Sequence, residues 1–366
     1  VISLFLAGDV MTGRGIDQVL PHPGDARLYE TYVTSAHDYV ELAERANGPI
    51  PKPLAFGAIW GDALAELERR RAHARIVNLE TAVTQSTEPE PKGINYKMSP
   101  ANVGAITAAG IDCCALANNH VLDWGPTGLL ETLATLEHAG VRWAGAGRDQ
   151  ASAAAPAILP VAGKARLLVY ALASPTSGVP RDWAAGVHKP GVNLLHGLSE
   201  ASAQAIADEI GAAKQPGDIV ILSLHWGPNW GYGVPDDQVA FAHRLVDSGA
   251  VDVIHGHSSH HAKAIEIYRG KLILYGCGDF IDDYEGISGH EKFRDDLVLM
   301  YFPIIRVADG TLADLEMVPL QIRNMRLHHA SPADATWLAE TLNREAGRLG
   351  TCIRIGADQV LKLVRA

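Results

Sequence analysis

The chain has 366 residues, 47% hydrophobic and 20% charged, with 31 basic against 42 acidic residues for a net charge of −11. That balance excludes a disordered chain, and the acidic surface repels nucleic acid and anionic membranes, so neither is an expected partner. Its four cysteines are too few and too poorly spaced for a disulfide framework or a thiolate zinc site, and no apolar run approaches the ~20 residues of a membrane span.

Ile2 to Ala7 reads as a buried strand running into Gly8-Asp9. Residues 15–60 carry few strand signals and many prolines and glycines, which marks an insertion at the site rim within a single domain spanning 1–366. Asp62 to Arg71 is helical, and Arg75 to Val77 is a strand ending in Asn78-Leu79-Glu80. Ser99-Pro100 opens a helix that stops near Gly110. Asp112 to Leu116 is a strand leading into Asn118-Asn119-His120, with Cys113 and Cys114 as core thiols on opposite faces. Gly125 to Ala139 forms a helix halted by Gly140. Further on, Ser199-Glu200 opens a helix, Ile219 to Leu224 leads into His225-Trp226-Gly227, and Asp237 to Ser248 is helical. Val251 to Ile254 then leads into His255-Gly256-His257. Ala264 to Tyr268, Lys271 to Tyr275 and Leu297 to Val307 read as consecutive strands of a second sheet, and Ala330 to Ala366 as helical. The expected class is α/β, with two stacked mixed sheets flanked by helices. A reducing cytoplasm is the expected location, although a leader ahead of Val1 could have been removed unseen.

Ligands of open α/β sheets bind beyond the carboxyl ends of the strands, and five strands here end in Asp, Glu, Asn or His. Asp9, Glu80 and the Asn119 amide offer hard oxygen ligands, and His225, His257 and His260 offer imidazole nitrogens, as a divalent cation requires. No organic cofactor is expected. His120 lies three residues before Asp123, which either fixes the imidazole or caps the helix opening near Gly125. His290, in a glycine-flanked loop, is a second acid/base candidate with Asp282, Asp283 or Asp9 as its carboxylate, or else a solvent-exposed loop residue. Arg14 is suited to grip a carboxylate or phosphate. Trp124, Trp226 and Trp230 beside the motifs form either a binding wall or core, with core favoured for Trp226.

The blocks Gly8-Asp9-Val10-Met11-Thr12-Gly13-Arg14, Asn78-Leu79-Glu80, Ala117 to Gly125, His225-Trp226-Gly227, Gly256 to His260 and Tyr275 to Phe280 resemble the signature blocks of the CapA-like proteins. That family is named for poly-γ-glutamate capsule synthesis and has the calcineurin-like metallophosphoesterase αββα fold. The resemblance implies a metal site at Asp9, Glu80, Asn119, His225, His257 and His260, with His120 as acid/base beside it. Two departures stand out. Asp279 occupies a position where the family usually has Asn, and Met11 stands where phosphoesterases of this fold place a second metal-binding residue, His. A clamp of two well-held ions is thereby weakened, and a single oxygen-rich site favours Ca²⁺, Mn²⁺ or Mg²⁺ over Zn²⁺.

Some CapA-like proteins resembling this one are lasso-peptide epimerases, and the first expectation is inversion of Cα at the C-terminal residue of a ribosomally made precursor peptide. In that scheme Arg14 and the cation hold the terminal carboxylate, while His120 with Asp123 and His290 with a carboxylate such as Asp9 work opposite faces. A metal-dependent phosphoesterase and a poly-γ-glutamate synthesis protein are the alternatives.

Overall fold

A computed structural model describes residues 1–161 and 165–365. In chain order, its two large sheets contain β1 (Ile2–Val10), β2 (Ala74–Leu79), β3 (Cys113–Ala115), β4 (Arg142–Ala144), β5 (Ala157–Pro160) and β6 (Arg166–Ala173). Next come β7 (Ile219–His225), β8 (Val253–His257), β9 (Ile265–Tyr268), β10 (Lys271–Leu274) and β11 (Asp279–Ile281). The last are β12 (Leu297–Ile305), β13 (Leu312–Arg323), β14 (Arg326–His329), β15 (Thr351–Ile355) and β16 (Leu361–Arg365). The first sheet is ordered β15-β16-β13-β12-β1-β2-β3-β4, with β11 beside β1 and β14 beside β13; the second is ordered β9-β10-β8-β7-β6-β5. Each has a parallel centre, β1 to β4 in one and β6-β7-β8-β10 in the other, with antiparallel strands added outside.

The apolar runs are continuous because both faces of the strands are covered. Leu167, Val169 and Ala171 of β6, with Ile219 and Ile221 of β7, face the first sheet. Their neighbours Leu168, Tyr170, Val220 and Leu222 pack in a separate cluster with residues of the helices Glu200–Ala213 and Asp236–Asp247. Helices Ala63–Arg70 and Gly125–His138 contribute Leu67, Leu129 and Leu133 to the cluster of the first sheet. Layered helix, sheet, sheet, helix, the molecule has the calcineurin-like αββα arrangement. Among the described residues, no helix is long and apolar enough to cross a membrane.

Several expectations change. Leu297 to Val307 does not join the second sheet: β12 pairs antiparallel with β1 in the first. The tail is α-helical only over Pro332–Ala346; β15 and β16 then form a hairpin on the sheet edge. The buried residues Thr351 and Ile353, and Leu361 and Leu363, recur at a spacing of two, which is the strand period. Ser99-Pro100 starts only a short 3₁₀ turn, Pro100–Asn102, followed by the four-residue helix Gly104–Thr107. β6, central to the second sheet, runs into Ser174-Pro175-Thr176-Ser177, with no Asp, Glu, Asn or His to draw attention to it. Residues 15–60 hold the helix Ala36–Asn47, and their Tyr32 and Tyr39 line a cavity beside the candidate site.

One close approach positions the first motif. A side chain at Gly8 would put Cβ 1.7 Å from the Gly278 carbonyl oxygen, and the next residue, Asp9, donates its N–H to that same oxygen at 3.0 Å. Only glycine lets β1 lie this near the Gly278 loop.

Candidate metal centre

Asp9 near the end of β1 and Glu80 just after β2 are both buried. The Asn78 amide nitrogen donates to both, 2.8 Å to Asp9 and 3.0 Å to Glu80. Asn78 is itself held by Asn118, which donates to its carbonyl oxygen at 3.1 Å and accepts the N–H groups of His120 and Val121. Burial pushes Asp9 up to about 6 and Glu80 well above the usual carboxylate range, with the neighbouring Asp9 charge adding to the effect on Glu80. Two buried carboxylates this close call for a shared proton or a cation.

The second sheet answers with imidazoles. Ser223 and His225 on β7 lie in register with His255 and His257 on β8, making a square of four side chains. The network assigns their protons. His255 Nε2 lies 2.8 Å from the Ala7 carbonyl oxygen, which can only accept, so Nε2 carries the hydrogen and Nδ1 accepts from Ser223 at 3.1 Å. Ser223 then accepts from His257 Nε2 at 2.8 Å, leaving the His257 Nδ1 lone pair facing the cluster, 3.7 Å from Asp9. His225 places Nδ1 2.7 Å from that lone pair and Nε2 2.9 Å from Asn119 Oδ1. To satisfy both, His225 would have to donate from both nitrogens and so be charged. Burial opposes this, pushing its pKa well below the ordinary value. The set is one positive charge short, and a cation supplies what the proton cannot.

Asp9, His225 and His257 bring ligand atoms within 4.8 Å of one another, and Glu80 lies 3.8 Å from His225. Opposite Asp9, Ser258 adopts φ +97°, strained for a residue other than glycine, and donates its N–H to Asp9 Oδ2 at 3.1 Å. A divalent ion fits these donors: oxygen from Asp9, Glu80 and Asn119, nitrogen from His225 and His257.

Beside them stands the candidate acid/base pair, His120 and Asp123. His120 Nδ1 lies 2.6 Å from Asp123, which also accepts Lys92 Nζ at 2.7 Å. Its Nε2 points toward Glu80, 3.9 Å away. Burial pushes His120 down to about 4, Asp123 opposing and Lys92 assisting. Asp123 is not the cap of the helix Gly125–His138: the residue at that position is Trp124, and no side chain caps the turn.

Other candidates stand further out. His260 donates Nδ1–H to Asp279 at 2.9 Å and accepts from Asn229 at Nε2, so both nitrogens are engaged outside the close cluster. Arg14 is not free to grip a carboxylate: Asp283 takes its Nε and Nη2, Glu30 takes Nη1, and all three side chains are buried. Trp226 is core, stacked on Tyr275 with its N–H on the Tyr275 carbonyl. Trp124 is buried too, bonded to the Tyr96 carbonyl under Lys97. Trp230 alone of the three lines the adjoining cavity, with His290 stacked on it at 3.8 Å between ring centroids. Of the carboxylates expected beside His290, Asp283 is bound by Arg14 and Asp9 lies in the cluster, while Asp282 is buried and accepts the Tyr284 N–H on Oδ1. The carboxylate that shares the cavity wall with His290 and His260 is Asp295. Met11 is buried and meets the Tyr284 hydroxyl, which is 2.8 Å from that of Tyr96.

Ser223, Lys92 and Asp295 escaped the sequence reading, and Asn78 entered it only as part of a motif, with no role of its own. Ser223 alone left a signal, a lone hydroxyl in an apolar strand, two residues from His225 and so on its face.

Comparison with known proteins places this geometry. The model of the bacterial capsule synthesis protein PGA_cap family matches residues 3–284. A probable polyglutamine synthesis accessory protein of Mycobacterium tuberculosis is 48% identical over 368 residues, covering 100% of this chain and 97% of that protein. The capsule biosynthesis protein CapA of Bacillus anthracis is 23% identical over 88% of this chain and 68% of its own length. The PGA biosynthesis protein CapA of Bacillus subtilis is 25% identical over 91% of this chain and 73% of its own. With its metal-type donor set on an αββα scaffold, the chain belongs to the bacterial capsule synthesis PGA_cap family.

Proposed function

We propose that the chain is a metal-dependent hydrolase acting on the amide backbone of a glutamine- or glutamate-built polymer during its synthesis. The observation that carries the chemistry is the pairing of a donor set one positive charge short with a neutral, anchored imidazole, His120, beside it. The relatives' names, for polyglutamine synthesis and for PGA and capsule biosynthesis, support the substrate side.

Asp9, Glu80, Asn119, His225 and His257 would hold the ion, which supplies carbonyl polarisation and an acidified water. Neutral at physiological pH, His120 accepts a proton from water at Nε2 and returns it to the leaving nitrogen. Asp123 and Lys92 keep the ring in place through both transfers. Water adds across one amide bond, giving a carboxylate and an amine.

Cα epimerisation of a peptide is a second reading, supported by His290 on Trp230, which gives the cavity a second imidazole. Phosphoester hydrolysis has less support, because Met11 stands at a ligand position and both Arg14 and Lys92 are already paired.

One experiment separates the three. Oligoglutamine, γ-glutamyl oligomers and an aryl phosphate are incubated with Mn²⁺ in ¹⁸O-water and, in parallel, in D₂O, each with and without EDTA. The expected result is ¹⁸O in new carboxylates of one oligomer, lost with EDTA and in Asn119→Ala. Deuterium at Cα without cleavage, or phosphate release alone, would replace this reading with one of the others.

A further inference from the structure

Beside the metal centre lies a cavity of about 430 Å³ whose walls include Tyr39, Tyr96, Trp230, Tyr284 and His290. Its charge balance is unusual for a site meant to hold polyanions. The single strong cation on its wall, Arg14, is neutralised twice over, by Asp283 and by Glu30, so that trio is net negative. Asp295 also faces the cavity and accepts no hydrogen bond from any other residue among the described residues. Behind His260 stands Asp279, another buried carboxylate.

Negative potential within aromatic walls favours a cation, since the faces of Tyr and Trp carry partial negative charge. The molecule already shows the preference internally: Arg14 lies 3.8 Å from the Tyr39 ring centroid and 4.6 Å from that of Tyr96. A carboxylate-bearing group would meet Asp295, with only the imidazoles of His260 and His290 on the same walls to offset the repulsion.

We propose that this cavity binds the terminal ammonium of a peptide or polyamide chain, with Asp295 as its ion-pair partner. The polymer of the reading above, on which this proposal rests, is then engaged by its amino end, with the first amide bonds directed toward the metal centre. Asp295 is a specificity residue here, and the free amine is what it selects.

The test is direct binding, by calorimetry on Asn119→Ala so that turnover does not intervene. The probes are tetraglutamine amide with a free amino terminus, the same peptide acetylated, and an acetylated peptide ending in lysine amide. The free-amine peptide is expected to bind at least about tenfold more tightly than either, and Asp295→Asn is expected to erase the difference. Equal affinity of the free and acetylated peptides overturns the proposal. Equal affinity of the free peptide and the lysine peptide overturns the assignment to a chain terminus. A free-amine preference with no hydrolysis by the wild-type protein would keep this proposal and remove the hydrolase, and hydrolysis without the preference would do the reverse.

Discussion

The Nδ1 atoms of His225 and His257 face each other at 2.7 Å, one on each of two neighbouring parallel strands. With the His257 hydrogen fixed on Nε2 by Ser223, the contact is made for a cation. The protein is expected to retain a divalent ion through purification, and EDTA is expected to lower its melting temperature. Ligand added back at a hundred times its Kd restores about 2.7 kcal/mol. Metal analysis of His225→Ala and His257→Ala checks the assignment: a full equivalent of ion in either variant would remove that residue from the ligand set.

Ser223 touches no ion, yet it determines which nitrogen His257 presents. Ser223→Ala is expected to lower metal affinity about 10–100-fold while leaving the fold intact, as loss of a supporting hydrogen bond does elsewhere. Ser223→Thr, which keeps the hydroxyl, is expected to recover most of it. Titration with Mn²⁺ reads both, and unchanged affinity in the alanine variant would disprove the proton chain running from Ala7 to His257.

Arg14 is a structural cation. Arg14→Met leaves Asp283 and Glu30 buried without a counter-ion and is expected to cost about 3–5 kcal/mol in denaturant unfolding. Arg14→Lys is expected to recover only part, since an ammonium cannot make the guanidinium's paired contacts with Asp283. A variant of normal stability whose only defect is a raised KM would return Arg14 to substrate binding.

Lys263 is 3% exposed, and burial pushes its pKa down to about 8. The folded state therefore binds fewer protons than the unfolded one between about 8 and the ordinary lysine value near 10.4. Stability rises with pH across that window, and below it the full penalty applies. Lys263→Met is expected to stabilise the protein at pH 7, on the order of 1–3 kcal/mol, with the gain shrinking as pH approaches 10. Melts at both pH values test this, and a gain equal at the two would exclude the titration of Lys263 as its cause.

What was legible in the sequence was whatever sits where a strand meets its loop. Asp9, Glu80, Asn119, His225 and His257 stand at such junctions, and the polar break in an apolar run announces each of them. His120 with Asp123 was readable from a three-residue spacing, and the helix Gly125–His138 from its closing glycine. Hidden were the partnerships that need the third dimension. Arg14 meets Asp283 across 269 positions of chain, and Lys92 reaches Asp123 from a loop of no regular pattern. The tail misled because its hairpin strands are short and follow directly on a real helix.

The donor set draws Asp9 from the first strand of the chain and His257 from the end of β8, which lie in different sheets. A nascent chain still short of residue 257 lacks His257, and it also lacks β11 and β12, the strands that pair with β1 and complete the first sheet around Asp9. Loading must therefore follow the docking of the two sheets, and a metal-filled molecule is one that has already completed that assembly.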